Sequence, residues 1–358
     1  MNKQHPLYQE DLAAILAVKD IEQLHGKRFL ITGATGLIGV QLIDALMQLD
    51  DVSVIAVGRS REKAADRLGE YFDNPRFTFL EHDVTQPFDL EEMEKVFSLH
   101  SALPIKGERG GGLYIIPLAS NTHPLAYSQY PVETVMINVK GAEHALELAR
   151  QTGATVLYPS TVEVYGNAQG DDVFTEDYTG TLNLRNARAC YPESKRVCEA
   201  LCQSYLAEKG VKVKIVRLSR VFGPTMLPSD TKASSQFIQK AVAGEDIVLK
   251  SKGEQFFSYT YVADAVAAML HVLLHGEEGV PYNISNEACD VHLCEFAAIC
   301  ADYNGRKVVF DLPSETESKG FSIATKAILD NSRLKDIGFT PRYTIRDAIL
   351  RTIGILKS

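Results

Sequence analysis

The sequence lacks the features that mark membrane, secreted and nucleic-acid-binding proteins. Its 358 residues contain no run of about 18 or more apolar residues, which a transmembrane helix requires. The first residues do not show the basic-then-apolar order of a secretory signal, so the cytoplasm is the expected location. A formal net charge of -9 disfavours a nucleic-acid or anionic-membrane partner, while local basic residues remain able to hold a phosphate.

Cysteine pairs of the metal-binding or redox type are also missing, because no Cys-x-x-Cys sequence occurs. The sequence therefore predicts neither a metal site nor a dithiol redox motif, and reduced thiols are expected. Cys198 and Cys202 continue the helical face of Tyr191 and Lys195, which predicts that they pack as small apolar groups. The six cysteines are Cys190, Cys198, Cys202, Cys289, Cys294 and Cys300.

A glycine-rich turn is the first feature that predicts a ligand. Gly33, Gly36 and Gly39 lie between a predicted buried strand at residues 28–32 and a predicted helix at residues 37–49. Without side chains at these positions, the backbone can approach a pyrophosphate at the N-terminus of the helix. The spacing differs from the fingerprint of two-domain dehydrogenases, which has one residue between its first two glycines. We interpret the turn as a dinucleotide-binding site.

Strand-like and helix-like patterns alternate along the following chain, which predicts an α/β fold with a doubly wound parallel sheet. The strand-like runs are residues 52–57, 77–80, 114–118, 155–158 and 213–218, and the longest helical patterns are residues 132–150 and 191–208.

The domain organisation is expected to be discontinuous. Residues 1–25 precede the first strand and suggest a helical extension. Residues 26–223, together with about 259–285, are expected to form the dinucleotide-binding domain. The pattern loosens after Gly223-Pro224, so residues 224–258 and 286–358 are expected to form a smaller substrate-binding lobe.

Tyr191 and Lys195 are four residues apart and therefore lie on one face of a helix. A nearby ammonium stabilises the phenolate, which makes Tyr191 a candidate base. A free tyrosine titrates near ~10, and bringing its pKa to about 7 requires roughly 4 kcal/mol of preferential stabilisation. Lys195 and an oxidised nicotinamide are the expected sources of this positive charge.

The end of the second predicted strand bears on the choice of cofactor. An acidic residue there would bind the 2'-hydroxyl of an adenosine ribose, but the sequence continues Gly58-Arg59-Ser60-Arg61. Arg59 or Arg61 can hold a 2'-phosphate, which favours NADP, although an arginine stacked on adenine is compatible with NAD. Asp83 and Val84 follow the third strand and are predicted to border the adenine, with a turn aspartate as the alternative.

The ordered motifs resemble the extended short-chain dehydrogenase/reductase family, particularly its nucleotide-sugar epimerases, 4,6-dehydratases and decarboxylases. The likeness covers roughly residues 26–350. It is carried by residues 32–39, 118–120, 138–141, 160–166, 191–195, 217–224, 261–264 and 329–332.

The resemblance implies a Rossmann sheet, a bound NAD or NADP and a nucleotide-sugar substrate. Thr161 is expected to hydrogen-bond the substrate hydroxyl, while Tyr191 removes its proton and the hydride passes to the nicotinamide, leaving a 4-keto sugar. It also implies a homodimer through the helical segments 132–150 and 191–208. The implied cofactor-binding residues are Gly33, Thr35, Gly36, Leu37, Ile38, Gly39, Arg59, Ser60, Asp83, Val84, Leu118, Ala119, Ser120, Asn138 and Lys195.

The resemblance leaves the second half-reaction open. Glu163 lies in a Ser-Thr-x-Glu-Val-Tyr-Gly pattern similar to dehydratases and uronate decarboxylases, where the glutamate acts near the sugar. Val162 stands where 4,6-dehydratases carry a proton-donating aspartic acid, so dehydration is disfavoured. Epimerisation is the expected activity and uronate decarboxylation the alternative. A reductase that releases its cofactor each turn, and a non-catalytic dinucleotide sensor, are the competing interpretations.

The sequence departs from the family pattern at two positions near the expected substrate. Arg220 stands where asparagine is common, and Phe257 stands where an arginine often clamps phosphate. Arg220 is therefore expected to replace that clamp from another direction. Asn121 and Gln255 are further candidates for substrate binding. His123 is a candidate for substrate contact, although a lone loop histidine is more often structural.

Overall fold

The computed structural model describes residues 1–98, 112–122, 124–168, 170, 172–311 and 325–358. Its central feature is a seven-stranded parallel sheet with the strand order β10-β6-β5-β4-β1-β2-β3. These strands are β1 Arg28–Thr32, β2 Ser53–Gly58, β3 Phe77–Glu81, β4 Leu113–Pro117, β5 Thr155–Thr161, β6 Lys212–Leu218 and β10 Pro281–Ile284. The predicted doubly wound parallel sheet is confirmed.

Helices cover both faces of this sheet. They are α1 Pro6–Leu16, α2 Leu37–Leu46, α3 Arg61–Leu68, α4 Leu90–Ser98, α5 Pro124–Gln129, α6 Pro131–Thr152, α7 Cys190–Lys209, α8 Ala233–Ala243, α9 Val262–His275, α10 Leu293–Asp302, α11 Ser332–Asp336 and α12 Ile345–Lys357. Short 3-10 turns occur at Ile21–Leu24, Gly69–Tyr71, Val162–Tyr165, Ala187–Ala189 and Glu287–Cys289. Within the described ranges, no helix is long and apolar enough to cross a bilayer.

The remaining strands lie outside the seven-stranded sheet. In a small sheet, β9 Phe256–Tyr261 pairs with β7 Arg220–Phe222, β11 Asp290–His292 and β13 Lys326–Ala327. A separate parallel pair joins β8 Ile247–Leu249 to β12 Val308–Phe310.

The buried residues form two apolar layers, one on each face of the central sheet. In β1, Phe29 and Ile31 point to the layer that contains α2 and α9, while Leu30 points to the layer that contains α6 and α7. This alternation follows from the two-residue period of a strand, and burial on both faces explains why β1 is apolar throughout. Cys198 and Cys202 are fully buried in the second layer, as their predicted packing requires.

The strand order places a topological switch between β1 and β4. The chain winds outward from β1 through β2 and β3, then returns to pair β4 with the other side of β1. Ligands of doubly wound sheets bind outside the carboxyl ends of strands at such a point. Strand β5 also runs to Thr161 rather than ending at residue 158, because its last residues stay paired with β6 up to Leu218. The same edge of the sheet therefore carries Thr161.

The N-terminal segment is anchored by buried charges. The Asp11 carboxylate is fully buried and accepts hydrogen bonds from the Tyr261 hydroxyl and, at 2.9 Å, from Nε of Arg351. Burial raises the pKa of Asp11, and the charge of Arg351 opposes this rise. In a second contact, Asp44 of α2 accepts from the Tyr8 hydroxyl and pairs with Lys3 at 2.8 Å. Helix α1 is thereby connected to α2, β9 and α12.

We expect Arg351→Met to destabilise the protein by about 3 kcal/mol, because it leaves the buried Asp11 carboxylate without its cation. Urea unfolding followed by circular dichroism measures the change. Arg346→Met is the matched control on the same helix, because Arg346 is exposed and forms a long surface pair with Asp302 at 4.0 Å. That surface pair should contribute less than about 1 kcal/mol. Equal losses in the two variants would contradict the proposed anchoring.

Candidate functional site

The glycine turn brings three backbone segments into direct contact. A Cβ atom on Gly33, whose φ is +64°, would lie 2.7 Å from the amide nitrogen of Ala119. A Cβ atom on Gly39 would lie 2.7 Å from the carbonyl oxygens of Gly33 and Ala34. The Ala119 amide also donates to Oγ1 of Thr32 at 3.1 Å. At these two positions only glycine fits, because the ends of β1 and β4 meet the first turn of α2 there.

The N-terminus of α2 is suited to an anion. Its N-cap, Gly36, makes no side-chain capping bond, and its first turn contains no acidic residue. The leading amides of a helix have no partner within the helix, and the helix dipole favours negative charge there. Thr35, Leu37 and Ile38 lie at this end of the helix and surround the glycine cradle. These residues fit the pyrophosphate of a dinucleotide.

The residues predicted near adenine have partners within the protein. Ser60 caps α3 by accepting from the Lys63 amide at 3.2 Å. Asp83 accepts from the Thr85 amide and hydroxyl at 2.9 Å each, and the backbone bond is the main cause that lowers its pKa. This geometry is the turn aspartate that the sequence left as the alternative. Arg59 is 61% exposed and 3.4 Å from Glu133, a surface pair that is easily exchanged for a ligand.

Val84 packs in the protein core beside the candidate site, and its contribution there is an apolar contact. Its side chain is buried and lies against Gly141, where an added Cβ would approach the valine within 3.3 Å. Its carbonyl oxygen is 2.9 Å from Nδ1 of His144. Val84 thus fixes the loop after β3 to helix α6.

A chain of hydrogen bonds connects the loop after Leu118 and Ala119 to the helix that carries Tyr191. The Ser120 hydroxyl donates to the Asn138 amide oxygen at 2.6 Å, and the Asn138 amide nitrogen donates to the Ser194 hydroxyl at 2.8 Å. The Ser194 hydroxyl donates in turn to the Tyr191 carbonyl oxygen at 2.8 Å. Asn138 is buried and therefore holds helices α6 and α7 in one register.

Thr161, Tyr191 and Lys195 are brought together at the carboxyl edge of the sheet. All three are buried, with 8%, 7% and 5% of their surfaces exposed. The hydroxyl of Thr161 is close enough to the phenol of Tyr191 to lower the pKa of that phenol. The Lys195 ammonium donates to the Pro159 carbonyl oxygen at 2.9 Å and lies 4.9 Å from the centre of the Tyr158 ring.

The sequence predicted that Lys195 lowers the pKa of Tyr191, but the groups around the phenol together raise this pKa. Burial, followed by the charge of Glu163, raises the pKa of Tyr191 above its ordinary value. Hydrogen bonds with Thr161 and Tyr127 oppose this rise. Burial also lowers the pKa of Lys195, whose ammonium is directed to a carbonyl group. Sequence spacing identified the shared helical face but did not include the desolvation of the phenol.

Glu163 is held by Arg188, a residue that the sequence analysis did not identify. Nη1 and Nη2 of Arg188 donate to the two carboxylate oxygens of Glu163 at 3.3 and 3.1 Å. The Glu163 amide donates to the Thr161 hydroxyl at 3.3 Å, so the carboxylate lies directly beside the candidate catalytic residues. Arg188 comes from the segment before α7, and no local motif in the sequence connects the two residues.

Tyr127 is the second residue that the sequence analysis missed. Its ring stacks on Tyr191 with centroids 4.7 Å apart and an interplanar angle of 20°. Its side chain is buried and close enough to the Tyr191 phenol to lower the pKa of that phenol, while the Arg188 guanidinium lies 5.8 Å from its ring centre. Tyr127 lies between the motifs at residues 118–120 and 138–141, and no pattern in the sequence around it indicates a contact with α7.

Arg220 and Phe257, the two departures from the family pattern, are in contact. The Arg220 guanidinium lies 3.5 Å from the centre of the Phe257 ring. Strands β7 and β9 set this contact by pairing Arg220 with Tyr259 in parallel register. Burial lowers the pKa of Arg220, and the nearby charge of Glu163 opposes that change.

The other substrate candidates interact with nearby protein groups. Asn121 donates from Nδ2 to the Thr134 hydroxyl at 3.2 Å, and Gln255 accepts from the Ser251 hydroxyl at 3.5 Å. His123 lies outside the described residues. Among the residues that the structure describes, no group of three potential metal ligands occurs.

Comparison with known proteins identifies the family. The profile of the NAD dependent epimerase/dehydratase family matches residues 29–285. The chain belongs to this family. The resemblance inferred from the motifs is therefore confirmed, and NAD is the cofactor that the family description gives. In this NAD-dependent epimerase/dehydratase, the matched range includes the glycine turn, Thr161, Tyr191 and Lys195.

Sequence relatives include two UDP-glucuronic acid decarboxylases. UDP-glucuronic acid decarboxylase 6 of Arabidopsis thaliana is 34% identical over 259 residues, which cover 72% of this chain and 69% of that protein. UDP-glucuronic acid decarboxylase 1 of Xenopus tropicalis is 32% identical over 269 residues, covering 75% of this chain and 58% of that protein.

Solved structures share the fold at lower identity. UDP-glucose 4-epimerase of Thermotoga maritima, crystallised with UDP-glucose, aligns with a TM-score of 0.75 at 22% identity, covering 92% of this chain and 98% of that one. UDP-glucuronic acid 4-epimerase of Bacillus cereus, in complex with UDP-glucuronic acid and NAD, gives 0.74 at 19% identity, covering 92% and 99%.

We expect Gly39→Ala to weaken NAD binding about tenfold or more, because the new methyl group would displace the carbonyls of Gly33 and Ala34. Isothermal titration calorimetry measures the affinity, and circular dichroism confirms that the variant folds. Gly69→Ala is the matched control, since a Cβ atom there meets nothing within 4 Å. An unchanged affinity in Gly39→Ala would exclude close cofactor approach at this turn.

Proposed function

We propose that this chain is a nucleotide-sugar uronate decarboxylase that acts through a transient 4-keto sugar. The observation that carries the proposal is the buried group of Thr161, Tyr191 and Lys195 beside the Glu163–Arg188 pair. The sequence favoured epimerisation as the second half-reaction. UDP-glucuronic acid decarboxylases that match at above 30% identity, among them those of Arabidopsis thaliana and Xenopus tropicalis, support decarboxylation instead.

In the proposed first step, the Tyr191 phenolate takes the proton of the C4 hydroxyl, while Thr161 holds that hydroxyl by a hydrogen bond. A nicotinamide dinucleotide held at the turn of Gly33, Gly36 and Gly39 would supply the reversible hydride acceptor for C4. Burial of Tyr191 and Thr161 excludes water from the reacting carbon. Lys195 stays on the same helical face and holds the segment around Pro159.

The second step follows from the chemistry of the ketone. The C4 carbonyl is β to the carboxylate of an oxidised uronate, so the bond between C5 and that carboxylate can break. The bonding electrons move to the C4 oxygen as an enolate, carbon dioxide leaves, and a proton from solvent adds to C5 as the C4 ketone forms again. The protonated Tyr191 donates to the enolate oxygen. Glu163, fixed by Arg188, accepts hydrogen bonds from the sugar and orients it.

Epimerisation at C4 is the second candidate because two cations flank Glu163. Arg188 binds its carboxylate, and Arg220 is close enough to interact with its charge. A uronate carboxylate that is held by a guanidinium keeps its negative charge stabilised, which opposes its loss as carbon dioxide. The same ketone would then be reduced from its other face.

We also propose the assembly and cofactor details that follow from the sequence. Arg59 supports NADP in addition to NAD, because its exposed pair with Glu133 can open toward a 2'-phosphate. Residues 224–258 and 286–358 form the substrate-binding lobe over the dinucleotide-binding residues 26–223 and about 259–285. Exposed Val132, Met136 and Val197 on helices α6 and α7 support a homodimer through these helices.

Incubation with UDP-glucuronic acid and NAD, followed by mass spectrometry of the nucleotide sugar, tests the proposed reaction. We expect one molecule of carbon dioxide to be lost per substrate, without net accumulation of reduced cofactor. Tyr191→Phe should slow turnover by about 100-fold or more, because the base is removed. A product of unchanged mass and inverted C4 would support epimerisation instead. Steady accumulation of reduced cofactor would indicate a simple dehydrogenase.

We expect Tyr127→Phe to move the pH profile of turnover upward by about 0.5 to 1 unit. The Tyr127 hydrogen bond lowers the pKa of Tyr191, so its removal raises that pKa, and the phenolate then forms only at higher pH. The variant keeps the ring stack. Tyr205→Phe, near the far end of α7, is the control and should leave the profile unchanged. A lower maximum rate at an unchanged pH midpoint would assign Tyr127 a packing role only.

A further inference from the structure

Arg220 carries a buried donor for which the described part of the chain provides no hydrogen-bond partner. Its Nη1 is buried and finds no acceptor among the residues that the structure describes. The flat guanidinium is stacked on Phe257, so the ring covers one face and offers no acceptor. A charged donor that has been removed from water without a partner is unfavourable. Within the described part of the chain this donor stays unsatisfied, and a bound ligand with an acceptor oxygen would satisfy it.

The charges around Arg220 do not balance. Glu163 is the carboxylate whose charge acts on Arg220, but both of its oxygens already accept from Arg188. Two guanidinium groups thus share one carboxylate, and one positive charge remains. A partly buried cation in excess at a site is compensated when an anion binds there.

The position of Arg220 is fixed by the backbone rather than by a flexible loop. Residues Arg220 and Tyr259 are paired in the parallel register of β7 and β9, and Phe257 precedes Tyr259 on the same face of β9. Phe257 is itself buried, so the stack holds the guanidinium in one plane. The free edge of a guanidinium in that plane matches two oxygens of a planar or tetrahedral oxyanion.

We propose that Arg220, seated on Phe257, binds an oxyanion of the substrate and determines its selection. The inference deepens the proposed function and rests on it for the identity of the substrate as a nucleotide-linked uronate. Such a substrate carries two oxyanions with the same recognition chemistry, namely the diphosphate and the sugar carboxylate. The ligands in the test distinguish between them.

The test is isothermal titration calorimetry of the NAD-loaded protein with UDP, UDP-glucose and UDP-glucuronic acid. We expect Arg220→Met to lower the binding affinity for at least one of these ligands by about 10- to 100-fold. Equal losses for all three identify the diphosphate as the bound group, and a loss for UDP-glucuronic acid alone identifies the carboxylate. Arg346→Met removes one exposed charge elsewhere and should change none of the affinities. Unchanged affinities in Arg220→Met would overturn the proposal.

The thermal midpoint without substrate separates ligand binding from a structural role. Removing an unpartnered buried charge should leave the midpoint of Arg220→Met unchanged or raise it. A large fall together with unchanged affinities would show that Arg220 supports the fold only. If Arg220→Met does not fold, Arg220→Lys replaces it in the titrations. This variant keeps the charge but loses two-point contact, so affinity should still fall, and wild-type affinity in it would overturn the proposal.

The two proposals fail in different ways. If the wild type binds UDP-glucuronic acid and turns it over, while Arg220→Met binds all three ligands equally well, only the role of Arg220 is wrong. If Arg220→Met loses affinity but the wild type releases neither carbon dioxide nor an epimer, the oxyanion site stands and the proposed reaction is wrong. If the wild type binds none of the three ligands, both are wrong.

Discussion

The structure depends on the close backbone contact between Gly33 and Ala119. It joins the carboxyl ends of β1 and β4 at the point where the strand order reverses, and a side chain on Gly33 would separate them. The cofactor turn lies on one side of this contact. On the other side, Ser120 begins the hydrogen-bond chain that leads through Asn138 to the helix of Tyr191. One steric constraint therefore positions both halves of the candidate site.

The sequence predicted the parts of the molecule that local patterns determine. Alternating apolar runs gave the parallel sheet, and the glycine spacing gave the turn before α2. Helix α9, with bounds Val262–His275, follows an apolar pattern that is visible without any tertiary contact. Strand β5 was predicted too short because Ser160 and Thr161 are polar, and only their pairing with β6 keeps them extended.

The missing parts of the site depend on contacts between distant residues. Arg188 reaches Glu163 across 25 positions, and Tyr127 reaches Tyr191 from a different helix. No periodicity encodes such pairs. The direction of the pKa shift of Tyr191 could also not be predicted from the sequence, because desolvation depends on every side chain that surrounds the phenol. Asp83 also accepts hydrogen bonds within its own turn, and its contact with adenine stays a prediction.

The anchoring of the N-terminal helix has a consequence for the order of events during synthesis. Asp11 is fixed by Arg351, which lies 340 positions later in the chain. A ribosome adds about 5 to 20 residues per second, so this partner is made tens of seconds after Asp11. Helix α1 therefore leaves the ribosome long before the arginine that completes its contact with α12. Until Arg351 is made, the Asp11 carboxylate lacks its cation, whereas the Tyr8–Asp44 contact joins segments only 36 positions apart and can form much earlier.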